Sequence, residues 1–274
     1  ARGRVLDPRS WSPPWDFIAS LPARVPRTVL KLAPGIDHAL LPPGAEGEWV
    51  SVDGDLVEAA FWCGPLAMTP RRATLLSTTP LPDAAPPQPS AGDSYREAEQ
   101  RVAGGSRETP GRRTADSPGP PAPHPPTALP PAAPGGRVAE LTGSGLERAP
   151  AGAVGGYLYD PDPAVVRSHL VAEFAATVGG RLGDPDIAYV YSDSFLKSPF
   201  GRVLTVTDVL PFSLKRLRAL LRERRIGRLE IRKRGSALEP DQLRKDLRLA
   251  GPNAASLVLT KVAGAPTVII CAPE

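Results

Sequence analysis

Ten basic side chains crowd into the stretch 215–234: Lys215, Arg216, Arg218, Arg222, Arg224, Arg225, Arg228, Arg232, Lys233 and Arg234. Only Glu223 and Glu230 oppose them there. A guanidinium group forks onto two phosphate oxygens, and each neutralised phosphate releases counterions, so this cluster is equipped to hold a polyanion. Formal net charge is only +4 over 274 residues. The placement of the charge therefore carries the reading more than its amount does. The plainer use of the same residues is a solvated helix face. Aromatics make up 5% of the chain and few interleave with the arginines. That argues against a single-strand stacking platform and for recognition of folded RNA through its shape and backbone.

Other residues with chemical potential do not converge. His38, His124 and His169 are far apart in the sequence, and Cys63 and Cys271 lack the spacing of metal ligands. No glycine-rich phosphate loop and no nucleophile elbow is present in the sequence. The composition predicts no catalytic constellation and no metal site.

The elements that must carry the basic cluster are legible in the pattern. Leu214, Leu217, Leu220 and Leu221 share one side of a helix expected over 213–226, which turns Lys215, Arg218, Arg222 and Arg225 toward solvent. Gly227 stops that helix, and Arg228-Leu229-Glu230-Ile231-Arg232 alternates as a half-buried strand. Arg232, Lys233 and Arg234 are expected to continue the helix's charge into one patch. Ser236 and Glu239 predict a capping box before a short helix bearing Leu243 and Leu247, and two strands, 256–262 and 267–271, close the chain. Upstream, Asp162 and Pro163 open a helix that carries Val166, Leu170, Phe174 and Val178 to Gly179-Gly180. Strands are expected at 187–191 and 202–206.

The N-terminal part reads as helix, strand and hairpin. Ser12 is placed as the helix N-cap with Pro13 at its first position. The strand is 27–32, and the hairpin joins 48–52 to 56–62 around Asp53-Gly54. These elements are too few to bury a core alone. Between the two ends, 15 of the 35 prolines fall in residues 80–134. A segment that dense in proline cannot keep helix or ladder hydrogen bonds, so 79–136 is expected to be a disordered or polyproline-II linker. The fold class expected is α/β, divided as 1–78, 79–136 and 137–274. Two cysteines and no apolar run long enough to cross a bilayer predict a cytoplasmic protein without membrane association.

Several blocks resemble one family. Tyr157-Leu158-Tyr159-Asp160-Pro161-Asp162, Ile187-Ala188-Tyr189-Val190-Tyr191, Pro211-Phe212-Ser213-Leu214-Lys215-Arg216-Leu217 and Leu229 to Gly235 are similar to the C-terminal THUMP-like domain of actinobacterial class I AdoMet-dependent methyltransferases. Ser12 to Phe17 and Val29 to Ile36 resemble the last elements of that family's methyltransferase domain. The resemblance implies a Rossmann-like sheet remnant in 1–78 and a THUMP-like α/β domain in 137–274. It also implies S-adenosyl-L-methionine as the family's cofactor, with the site outside this chain, because the AdoMet loop and its acidic partner stand upstream in the family. A missing N-terminal methyltransferase domain is thus expected, as is the chain, opening on Ala1, being a fragment.

Ser12-Pro13-Pro14-Trp15 also matches the target loop of amino-group methyltransferases. There a polar residue and a carbonyl hold the target nitrogen while an aromatic ring stacks on a flipped base. A proline-entered helix start accounts for the same four residues. The expected function is the C-terminal portion of an RNA methyltransferase. Lys215, Arg218, Arg222, Arg225, Arg232 and Lys233 are expected on phosphates. The rival is a non-catalytic interaction module whose basic helix docks on a protein.

Overall fold

The computed structural model describes residues 12–78 and 137–273. The expected linker, 79–136, lies outside the described residues. Helix α1 (Trp15–Arg24) precedes strand β1 (Val29–Leu32). Strands β2 (Glu46–Val52) and β3 (Asp55–Trp62) form the expected hairpin, with Asp53 (φ 49°) and Gly54 (φ 87°) both left-handed in its turn. Strand β4 (Arg71–Ser77) pairs parallel with β2, and β5 (Arg137–Gly143) pairs antiparallel with β4. The first sheet thus runs β1-β3-β2-β4-β5. The expectation placed residues 137–143 with the C-terminal segment, but they complete the N-terminal sheet.

A second sheet has the order β10-β11-β12-β9-β6-β8-β7. Its strands are β6 (Tyr157–Pro161), β7 (Arg181–Leu182), β8 (Val190–Ser192), β9 (Gly201–Pro211), β10 (Ile226–Lys233), β11 (Asn253–Val262) and β12 (Ala265–Cys271). The helices are α2 (Pro163–Arg167), α3 (Val171–Thr177), α4 (Leu214–Glu223) and α5 (Pro240–Leu247). This is the mixed α/β architecture expected.

Three apolar clusters hold it together. The first gathers Leu30, Leu32, Trp49, Phe61 and Leu75 of the first sheet with Tyr159, Val165, Phe174 and Val178 from the other side of the linker. The second packs Leu217 and Leu221 of α4 and Leu243 and Leu247 of α5 onto Leu257, Leu259, Val268 and Ile270. The third, with Leu158, Tyr189, Leu204, Val258 and Ile269, covers the opposite face of the second sheet.

Local expectations are corrected at three places. Helix α1 begins at Trp15 with Pro14, extended (ψ 151°), as N-cap and no side-chain cap, because proline carries no side-chain acceptor; Ser12 caps nothing and its peptide to Pro13 is cis. The expected helix from Asp162 to Val178 is two helices, broken at His169, which adopts a left-handed φ of 65°. Asp162 does cap α2, its Oδ1 accepting from Ala164 N at 2.8 Å. The capping box before α5 does not form: Glu239 is the N-cap but its side chain makes no capping bond, and Ser236 Oγ accepts from Leu238 N instead.

Candidate nucleic-acid interface

Helix α4 is capped by Ser213, whose Oγ accepts from Arg216 N; Leu217 and Leu221 are buried and Leu214 and Leu220 pack partly buried beside them. Lys215, Arg218 and Arg222 follow at i, i+3 and i+7 and so share one stripe. Lys215, Arg222 and the following Arg225 are exposed and reach no carboxylate among the described residues. Arg218 is half-buried instead, because it donates to the carbonyl of Asp246 at the end of α5. Arg224 leaves the stripe to form a bidentate pair with Asp208 of β9.

The strand half of the expected patch is distributed differently. Strand β10 runs parallel to β11 with Ile231 opposite Leu257 and Arg232 opposite Val258. Leu229 and Ile231 pack in the cluster under α4, whereas Val258 belongs to the cluster on the other face. Successive strand residues alternate faces, so Arg232 points away from α4. It pairs there with Asp160 at 3.1 Å and Glu230 at 2.6 Å. Arg234 joins Asp160 at 2.8 Å and lies over the Tyr189 ring, 5.4 Å from its centroid. Lys233 pairs with Glu239 at 2.8 Å. The single continuous patch expected from sequence is therefore not formed. Lys215, Arg222 and Arg225 stand without carboxylate partners on the α4 side, among the described residues, while Arg218, Arg232 and Lys233 hold partners.

Reasoning from sequence missed that Arg216 and Arg228 are also exposed and without carboxylate partners among the described residues. Arg228 lines a groove of about 630 Å³ with Arg224, Thr207, Asn253 and Ile270, close to the end of α4. The alternation of β10 contained this signal, since Arg228, Glu230 and Arg232 share a parity.

The other candidate site is the loop before α1. Ser12, Pro13 and Pro14 are exposed. Trp15 is half-buried and packs on the first apolar cluster with Ile18 and Leu21. Both cysteines are free and buried. No helix among the described residues is long and apolar enough to cross a membrane.

Residues 201–273, which carry α4, β10, α5 and the closing hairpin, match the family described as THUMP domain-like. Two relatives, from two strains of Mycobacterium tuberculosis, are each named an uncharacterized S-adenosylmethionine-dependent methyltransferase. Each is 37% identical over 124 residues, which is 44% of this chain. The chain spans about a third of those relatives' length, 34%. The crystal structure of a methyltransferase candidate from Porphyromonas gingivalis shares the fold, with a TM-score of 0.52 at 17% identity, over 89% of this chain and 50% of that one.

Proposed function

We propose that this chain, which carries a THUMP domain-like module at residues 201–273 and is similar to S-adenosylmethionine-dependent methyltransferases over 44% of its length, is the RNA-presenting part of such an enzyme. In this reading residues 1–78 supply the end of the methyltransferase domain and 137–274 the THUMP-like domain, and the protein works in the cytoplasm. S-adenosyl-L-methionine would be held by a part of such an enzyme outside the 34% of the relatives' length that this chain spans. No described cluster has the glycine loop and acidic partner for it, so no step of methyl transfer is assigned to these residues.

The observation that carries the reading is the exposed, carboxylate-free cationic side of α4: Lys215, Arg222 and Arg225. Lys215 and Arg222 on the outside of α4, and Arg225 in the left-handed turn just past its end, would break no ion pair when phosphates arrive, unlike Arg232. They would meet backbone rather than base edges, so this face would position RNA more than select its sequence. Arg228 shares the parity of Arg232, so it and the groove it lines are not counted in this face.

Ultraviolet cross-linking of the chain to a structured RNA, followed by mass spectrometry of the peptides, tests the placement. Cross-links at 215–228 are expected. Cross-links confined to the Ser12–Trp15 loop would move the RNA to that loop. No cross-link at all, with a protein captured through α4, would favour the interaction module.

A further inference from the structure

Arg71 and Arg72 are neighbours on β4, and they are treated in opposite ways. Arg72 pairs with the buried Glu46 at 2.6 Å and with Glu140 at 3.2 Å. Arg71, on the other face, reaches no carboxylate among the described residues: its Nη1 donates to Pro70 O at 3.1 Å and its Nε has no partner. A half-buried guanidinium without a counter-ion is unfavourable unless an anion completes it.

Arg71 lines a groove of about 560 Å³ with His38, Leu41, Pro42 and Pro70. Met68 and Leu146, at its rim, are 79% and 84% exposed. That volume lies in the range of small-molecule sites, and two large apolar side chains held out in water beside an unpaired cation match an anion with an apolar body.

Behind the groove stands a column of rings. His38 stacks on Trp49 (centroids 4.4 Å apart) and on His169 (3.9 Å). Both His38 ring nitrogens are shielded from solvent and reach no side-chain partner, with the Arg167 backbone beside the ring. Arg167 locks the turn beneath by donating to Pro34 O and Ile36 O. Burial and the nearby His169, Arg167 and Arg71 charges pull His38 down to about 4, and burial with the same two arginines lowers His169. The carboxylate nearby, Glu173, uses Oε1 to accept from Gly145 N at 3.2 Å, while its Oε2 is buried without a partner and does not reach Arg71 within ion-pair distance.

We propose that this groove binds a nucleotide 5′-phosphate, its phosphate on Arg71 and its base against Met68 and Leu146. The site stands apart from α4, so it can succeed or fail independently of the RNA face. The same chemistry serves a free mononucleotide or one nucleotide of an RNA strand.

The test is titration of the full chain with adenosine 5′-monophosphate, with inorganic phosphate, and with a short oligoadenylate. The histidine ring resonances are followed by NMR and assigned with His124→Gln and His169→Gln. Saturable binding of the monophosphate is expected, tighter than inorganic phosphate by about tenfold. The pKa of His38 and of His169 should rise as the anion offsets Arg71. Arg71→Ala should weaken binding by about tenfold, and Met68→Ser should weaken the nucleotide but not phosphate. Lys215→Glu/Arg222→Glu should leave nucleotide binding unchanged. Oligoadenylate binding tighter than the monophosphate assigns the site to an RNA strand, and equal binding assigns it to a free nucleotide. No saturation, unmoved histidines, or an Arg71→Ala protein that binds as the parent does overturns the proposal. Should Arg71→Ala not fold, unchanged nucleotide affinity in both Met68→Ser and Leu146→Ser overturns it equally.

Discussion

Arg232 commits its guanidinium to Asp160 and Glu230 on one face of the second sheet, whereas Arg222 is exposed on the other side. Arg232→Ala should therefore cost stability, about 2 kcal/mol, because Asp160 is 15% exposed and loses one of its two ion pairs among the described residues. Urea unfolding would measure that loss, and RNA affinity should barely change. In the ring stack, His38 is held near a pKa of about 4 against an ordinary 6.5, chiefly by burial. The unfolded chain then binds the proton more tightly than the folded one, so stability is present above pH 6.5 and lost as pH falls toward 4. Discounted for the ring's partial exposure, the loss is on the order of 1 kcal/mol. His38→Phe keeps an aromatic ring in the stack and should flatten this part of the profile when denaturation is compared at about pH 7 and about pH 4.5. Neither histidine's partner was visible in sequence, since His38 and His169 meet only after two distant segments pack.

At the scale of elements, local pattern was a good guide where burial is one-sided. The leucine spacing of α4, the alternation of β10 and the Asp53-Gly54 hairpin all follow the expected register. It failed where tertiary packing decides. Val166, Leu170, Phe174 and Val178 keep helical spacing, yet His169 breaks the helix so that α2 and α3 can both face the first cluster. The six cations looked contiguous because sequence proximity hides a sheet: a strand hands Arg232 and Lys233 to opposite faces. The helix expected over 213–226 ends at Glu223 and Arg225 turns left-handed (φ 56°), so Gly227, expected to stop it, lies inside β10. A Cβ there would meet Gly251 O at 2.1 Å, where the starts of β10 and β11 approach. Gly227→Ala should cost about 2 kcal/mol in thermal or urea unfolding.

Across the whole molecule, the first core is built from both sides of the linker. Residues 12–78 supply Trp49 and Phe61, and residues 157–178 supply Tyr159 and Phe174. The residue pattern did not announce this, because β5 and β6 carry weak strand signals and the pairing of β5 with β4 spans the linker. Phe174→Ala should cost about 3–5 kcal/mol and, by hydrogen exchange, lower protection in both β2 and β6. Leu217→Ala should act first on α4, α5 and β11, in the second cluster. The RNA reading depends on this architecture, because the second cluster is what turns the cations of α4 outward.

The most direct test of that reading is the salt dependence of RNA binding by the full chain and by its Lys215→Glu/Arg222→Glu/Arg225→Glu variant. The account predicts that the variant binds more weakly and that its slope of log affinity against log salt is shallower by about two to three, since each of the three cations would neutralise one phosphate. Equal affinities and equal slopes, in a variant that folds as the parent does, would contradict it and leave α4 a solvated face.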